Sequence, residues 1–205
     1  MVNINYATVI DPVMHDIRRR VPDFAGMQPG ERVLDVCCGS GAQVCEYRRR
    51  GLDALGLDNS LQMLELAEKY YGHCGAHSSS FILGDAAQLP FDDGSFNYTS
   101  VSMALHDKEA SLADVIVEEM RRVTREDGKL VFVDYSFPLP HNGAGYLMRF
   151  IEFLAGGQHY RSFRRYLVSG GLKGLFAGHG LKQTACTTFK GGSISLVLAA
   201  NGGQV

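Results

Sequence analysis

A short apolar strand, a turn with two glycines and the start of a helix follow one another in Val33-Leu34-Asp35-Val36-Cys37-Cys38-Gly39-Ser40-Gly41-Ala42-Gln43. That order belongs to α/β sheets that hold a ligand at the carboxyl edge of their strands. Gly39 and Gly41 let backbone N–H groups come close to a bound molecule, and the helix start favours negative charge. Dinucleotide sites ask for G-x-G-x-x-G/A, with a small third residue so that the helix packs close to a pyrophosphate. Here the third place is Val44, which is β-branched. The turn therefore speaks against a pyrophosphate, and with it against a nicotinamide oxidoreductase.

The rest of the chain sets this turn in a repeating strand-helix pattern. Pro12 to Val21 reads as a helix, Arg32 to Val36 as a strand, Ala42 to about Arg50 as a helix and Ala54 to Leu57 as a second strand. Ser60 caps a helix in which Leu61, Leu64 and Ala67 share a face. Phe81 to Leu83 and Asn97 to Met103 are the next strands. The helix from about Lys108 to Thr124 is expected to turn Leu112, Val115, Ile116, Met120 and Val123 inward. It should stop at the turn Glu126-Asp127-Gly128, before a fifth strand from Leu130 to Val133. Strands alternating with helices predict a parallel sheet covered on both faces. Beyond Pro138, helical stretches at about Gly145 to Ala155 and His159 to Leu167 precede strands at Gln183 to Phe189 and Ser193 to Ala199. Lys190-Gly191-Gly192 should join that last pair antiparallel.

At 205 residues the chain suits one domain with a substantial core, and no repeat or low-complexity linker divides it. A formal charge of −2 argues against a broad nucleic-acid surface, which needs clustered Lys and Arg. The N-terminal stretch lacks the basic start and continuous apolar run of a secretory signal, and no segment approaches the roughly 20 apolar residues that span a bilayer. Five cysteines, two of them the adjacent Cys37 and Cys38, are poor material for a disulfide framework and point to a reducing compartment. The expectation is a single cytoplasmic domain over residues 1–205, without a transmembrane segment.

Three acids punctuate the strands. Asp35 lies at the end of the first, Asp58 ends the second and Asp85 follows the third, with the Ala86 N–H beside it. A carboxylate at the end of the second strand can accept both hydroxyls of a ribose, and one after the third can reach an adenine amino group. S-adenosylmethionine (SAM) carries a sulfonium and an ammonium against one carboxylate, so three acidic strand ends suit its net positive charge.

Together these stretches resemble the class I SAM-dependent methyltransferases, in particular the methyltransferase type 11 branch that contains the ubiquinone/menaquinone C-methyltransferases. The residues that carry the resemblance are VLDVCCGSG (33–41), GLDNSLQMLELAEK (56–69), GDAAQLPFDDGSFNYTSVSMALH (84–106) and EEMRRVTREDGKLVFVDY (118–135). They cover the chain from about Gly30 to Tyr135. The resemblance implies a Rossmann-like three-layer α/β sandwich, its seven-stranded sheet mostly parallel with the last strand antiparallel. It implies that Asp35, Gly39, Ser40 and Gly41 contact the methionine part of SAM. Asp58 would hold the ribose, Asn59 and Met63 would lie beside the adenine or ribose, Asp85 and Ala86 would bind adenine, and Ser102 would sit near the sulfonium. Cys37 and Cys38 would face the cofactor as packing residues of the turn. Two positions depart from the pattern: Cys37 stands where Gly or Ala is common, and Asn97 replaces an Asp.

Methyl transfer from SAM is a direct displacement, so the protein has mainly to align the reactants and exclude water. A base is needed only where the acceptor must lose a proton. His106, just beyond the fourth strand, is the first candidate, since its ordinary pKa of about 6.5 suits that work; the plainer alternative is a polar residue hydrogen-bonded at a strand end. Tyr6 lies in a segment, residues 1–28, that by resemblance folds over SAM as a lid, where it either touches substrate or packs. Residues 138–180 should form the acceptor cap. Their apolar Tyr146, Met148, Phe150, Ile151, Phe153 and Leu154 come before Arg161, Arg164 and Arg165. One reading is an apolar small-molecule acceptor, aromatic or quinol-like, with the arginines at its polar end or in weak contact with a membrane surface. The other is an ordinary amphipathic helix with a solvated Arg face. Nucleic-acid amino-group methylation is disfavoured because Ser102-Met103-Ala104-Leu105 stands where those enzymes resemble one another in an N-P-P-Y or D-P-P-Y turn. His73, Cys74 and His77 are close together but nothing completes a tetrahedral set, so no metal is expected. A SAM-binding regulatory or partner protein without transferase activity is the alternative to an enzyme.

Overall fold

The computed structural model describes residues 11–74 and 80–202. Seven strands form one sheet: β1 (Arg32–Val36), β2 (Asp53–Asp58), β3 (Phe81–Leu83), β4 (Phe96–Ser102), β5 (Thr124–Tyr135), β6 (Lys182–Phe189) and β7 (Ile194–Ala200). Their spatial order is β3-β2-β1-β4-β5-β7-β6. β1 to β5 pair in parallel, and β7 runs antiparallel to both β5 and β6. This is the expected mostly parallel, seven-stranded arrangement with the final hairpin reversed.

Helices cover both faces. α1 (Asp11–Ala25), α2 (Ala42–Arg49) and α3 (Leu61–Tyr71) lie on one side, where Met14, Ile17, Val44, Tyr47 and Leu64 form a core with Val33, Val131 and Val133. α4 (Ala110–Val123) and α7 (Gly171–His179) lie on the other, where Ile116, Met120, Leu172 and Phe176 meet Leu34, Leu130 and Phe132. The alternation within β5 is direct: Leu130 and Phe132 point one way, Val131 and Val133 the other, and all four are buried. A strand buried on both faces needs this continuous apolar run. α5 (Gly143–Ala155) and α6 (Gly157–Val168) close the end of the sheet, packing their Met148 and Phe163 with Tyr135 and Leu139.

Several expectations are corrected. In α4 the inward face is Ala113, Ile116, Val117, Met120 and Val123, while Leu112 and Val115 are exposed. The turn at Glu126-Asp127-Gly128 is absorbed into β5, which is irregular opposite Phe96 and Tyr98. α1 continues past Val21, through Pro22, to Ala25. α7 was not expected. Cys45 and Cys74 are joined in a disulfide that ties α2 to the turn after α3, against the expectation that the cysteines were poor material for disulfides and pointed to a reducing compartment. Among the described residues, no helix is long and apolar enough to cross a membrane.

Candidate functional site

The carboxyl ends of β1, β2 and β4 open into one cleft of roughly 760 Å³, counting the part open to solvent. Asp35, Cys37, Gly39, Ser40, Asp58, Met63 and Ser102 line it, so the fold gathers these sequence-selected residues on one wall.

Asp35 faces Ser100 across the β1–β4 pairing, and the Ser100 hydroxyl donates to Oδ1 at 2.6 Å. Burial dominates its ionisation, outweighing that bond and the charge of Arg18, and pushes the carboxyl pKa up to about 7. Asp58 ends β2. Its Oδ2 accepts the Gly39 N–H at 2.8 Å and its Oδ1 the Ser60 N–H at 2.9 Å. Each carboxylate oxygen keeps a second lone pair, which is what a ribose diol requires. The Ser60 hydroxyl accepts the Met63 N–H at 3.3 Å, capping α3 and fixing Met63 at the wall.

Cys37 (φ 57°) and Met103 (φ 52°) both line the cleft in left-handed backbone just past the ends of neighbouring strands. Such backbone favours glycine and costs roughly 1–3 kcal/mol in other residues, which accounts for the preference for a small residue at position 37. Burial pushes the Cys37 thiol up to about 12 and the Cys38 thiol well above its ordinary value, so both are neutral packing groups. Cys38 and Val44 close over Gly56 of β2, where a Cβ would lie 2.8 Å from the sulfur and from a Val44 methyl.

Other selected residues are elsewhere. Gly41 is buried behind the wall, with a built Cβ 2.5 Å from the Phe81 ring. Asn59 is exposed. Asp85 is exposed and its Oδ1 accepts the Ala87 N–H at 2.9 Å, while Ala86 is buried in the core. Asn97, the second departure, accepts the Arg32 N–H at 2.9 Å and anchors the start of β1. Tyr6 and His77 lie outside the described residues. Met14, Arg18, Gln43, Asp107 and Lys108 line the cleft without having been singled out. Met14 and Arg18 are four apart on α1, so helical spacing alone could have put them on one face.

His106 does not line the cleft. Its ring is buried among Tyr135, Phe163 and Tyr166, with Nδ1 2.7 Å from Asp134 Oδ1. Burial opposes a charge on the ring, but Asp134, with Glu152 behind it, outweighs this and raises its pKa above the ordinary value. On the far side Nε2 lies 3.7 Å from Glu152, which also approaches His159 at 2.6 Å. These groups come from the turn after β4, from α5 and from α6, so no local motif announced them.

Residues 33–128 match the family model described as a methyltransferase domain. The chain is 40% identical over 121 residues to a demethylmenaquinone methyltransferase of Renibacterium salmoninarum, covering 59% of this chain and 48% of that protein. It is 30% identical over 146 residues to one of Oceanobacillus iheyensis, covering 68% and 60%. The chain thus spans about half the length of the curated relatives it matches. Among solved structures, the PH0226 protein of Pyrococcus horikoshii shares the fold at a TM-score of 0.71 and 18% identity, over 97% of this chain and 93% of that one. A SAM-dependent methyltransferase of Aquifex aeolicus does so at a TM-score of 0.65 and 14% identity, over 89% and 88%.

Proposed function

Residues 33–128 belong to the class I SAM-dependent methyltransferase domain family, and from that premise we propose that the chain transfers the methyl group of SAM to a small-molecule acceptor. The observation that carries this reading is the pair of buried carboxylates, Asp35 and Asp58, on one cleft wall with the Gly39 turn between them. SAM supplies a methyl group on a positively charged sulfur that leaves without activation. In the proposal Asp35 faces the ammonium end, with Gly39 and Ser40 along the methionine part, and Asp58 takes the ribose hydroxyls. Met63 packs beside the nucleoside and Ser102 lies near the sulfonium. The loop after β3 brings Asp85 and Ala86 to the adenine on binding. Met14 and Arg18 of α1 form the lid side of the cleft, and α5 to α7 cap the acceptor. Alignment and exclusion of water do the remaining work. His106 serves as a base only for an acceptor that enters from the His159 side.

For the acceptor we propose an apolar, aromatic or quinol-like molecule. The relatives' names point that way, α5 leaves Tyr146, Leu147, Phe150 and Phe153 exposed, and α6 leaves Arg161 and Arg164 exposed. Arg165 is paired with Glu109. The test is thermal shift with SAM and NAD, followed by turnover on quinols, phenols, amines and acids. Stabilisation by SAM alone and methylation of a quinol are the expected results. Stabilisation without turnover on any acceptor would move the assignment to a SAM-binding partner protein.

A further inference from the structure

We propose that His106, Glu152 and His159 form a site for one divalent first-row metal ion, with Zn²⁺ the ion their donors suit best. One donor atom from each lies within 4.8 Å of the others. Ligands at about 2.0–2.2 Å from a tetrahedral zinc are about 3.3–3.6 Å apart, so small side-chain shifts close the set.

The outer nitrogen of the His106 ring is held by a carboxylate. Asp134 accepts the N–H groups of Leu105 (3.1 Å), His106 (3.3 Å) and Tyr135 (2.8 Å), besides facing His106 Nδ1 at 2.7 Å. Surrounded by donors, it holds the proton on Nδ1 and leaves the Nε2 lone pair of the neutral ring turned toward Glu152. His159 Nδ1 lies 3.8 Å from Asp107 Oδ2, more loosely but in the same sense. A carboxylate hydrogen-bonded behind the imidazole, as Asp134 is behind His106, is the usual outer shell of a histidine-bound metal.

The inner atoms are under-satisfied. Glu152 Oε1 accepts the Tyr135 hydroxyl at 2.6 Å, whereas its buried Oε2 has no hydrogen bond. Oε2 approaches His159 Nε2 at 2.6 Å without the alignment of an N–H···O bond. A buried carboxylate oxygen without an aligned hydrogen bond, this close to an imidazole nitrogen, is one that a shared cation would satisfy. Two histidines and one glutamate are the donor set of zinc sites that keep a fourth position open. The His159 side chain is 32% exposed, which gives an ion a way in. A metal on Nε2 takes the lone pair that a base would use, so this assignment replaces a base role for His106. It does not depend on the identity of the ligand in the neighbouring cleft.

The test is titration of chelator-treated full-length protein with Zn²⁺ against a chromophoric competitor. Wild type should bind one equivalent. Glu152→Gln and His159→Gln should weaken that binding at least 100-fold, and Asp134→Asn by about 10–100-fold. Co²⁺ in the same site should give ligand-field bands with no thiolate charge transfer, which separates it from sites at Cys37, Cys38 or Cys186. Circular dichroism checks that the variants fold, and the wild-type titration decides independently of them. Failure of wild type to bind an equivalent overturns the proposal. So does unchanged affinity in folded Glu152→Gln and His159→Gln, or a thiolate band with Co²⁺.

Discussion

Gly39 donates its backbone N–H to Asp58 Oδ2 at 2.8 Å, so the turn after β1 and the end of β2 move as one unit. Ser60 occupies the other oxygen at 2.9 Å. An asparagine at position 58 has one acceptor oxygen and would turn an NH₂ toward one of these donors. Asp58→Asn should therefore lose about 1–3 kcal/mol of stability and bind SAM at least tenfold more weakly. Calorimetric titration with SAM reads this directly, and an unchanged Kd removes Asp58 from the binding set.

Asp35 makes binding depend on pH. Its folded-state pKa of about 7 stands above the ordinary 3.8, so the fold prefers the neutral acid. The stability this gives is complete below about pH 4 and is lost as pH rises through 7, because the unfolded chain has already released the proton. A cationic ligand reverses the preference. SAM binding should release a proton below pH 7, and its affinity should fall up to tenfold per pH unit there. Titrations in two buffers of different ionisation heat measure the proton count. Equal heats at pH 6 would show that Asp35 keeps its protonation state.

Gly41 tests whether its role is contact or packing. Its φ is 79°, and a Cβ would meet the Phe81 ring at 2.5 Å and the Ala67 Cβ at 2.9 Å. A left-handed alanine costs roughly 1–2 kcal/mol and overpacking roughly 1–3 kcal/mol. Gly41→Ala should lower the denaturation midpoint by the equivalent of about 2–5 kcal/mol. A stable variant with impaired SAM binding would instead make Gly41 a contact residue.

These residues show what the sequence made legible. Strands β1 to β5 could be read because apolar runs alternate with capped helices, and Asp35 and Asp58 followed from their strand ends. Local pattern turned Leu112 and Val115 of α4 inward on their apolarity alone, whereas the buried stripe runs through Ala113 and Val117. It missed α7 because Gly171, Gly174 and Gly178 lower helix propensity while burial of Leu172 and Phe176 overrides it. Asp85 has the right chemistry for a ligand, yet its carboxylate turns back to its own loop at Ala87. The His106, Glu152 and His159 cluster and the Cys45–Cys74 bond join residues far apart in the chain, which spacing alone does not reveal.

The apolar face of α5 yields a separate test. If it meets a membrane-dissolved acceptor, the exposed Arg161 and Arg164 lie at the headgroup level, where each basic residue adds about 1 kcal/mol toward anionic lipid. Arg161→Glu with Arg164→Glu should reduce sedimentation with anionic vesicles at least tenfold while leaving SAM affinity intact. Equal sedimentation of variant and wild type would leave these arginines as ordinary solvated surface.

Arg122 of α4 governs the loop that carries Asp85 and Ala86. Its guanidinium donates to Glu119 at 2.7 and 2.8 Å, to Asp93 at 2.8 Å and to the carbonyls of Phe91 (2.8 Å) and Leu89 (3.0 Å), while Glu119 accepts the Leu89 N–H at 2.7 Å. The side chain is a third exposed, so solvent screens part of this network and Arg122→Ala should cost only about 1–2 kcal/mol of stability. Arg122→Lys keeps the charge but lacks the planar fork that reaches several acceptors at once. Both variants should weaken SAM binding about tenfold, with lysine recovering stability more than affinity. If Kd is unchanged while stability falls, the loop after β3 is a structural brace and the adenine is held elsewhere.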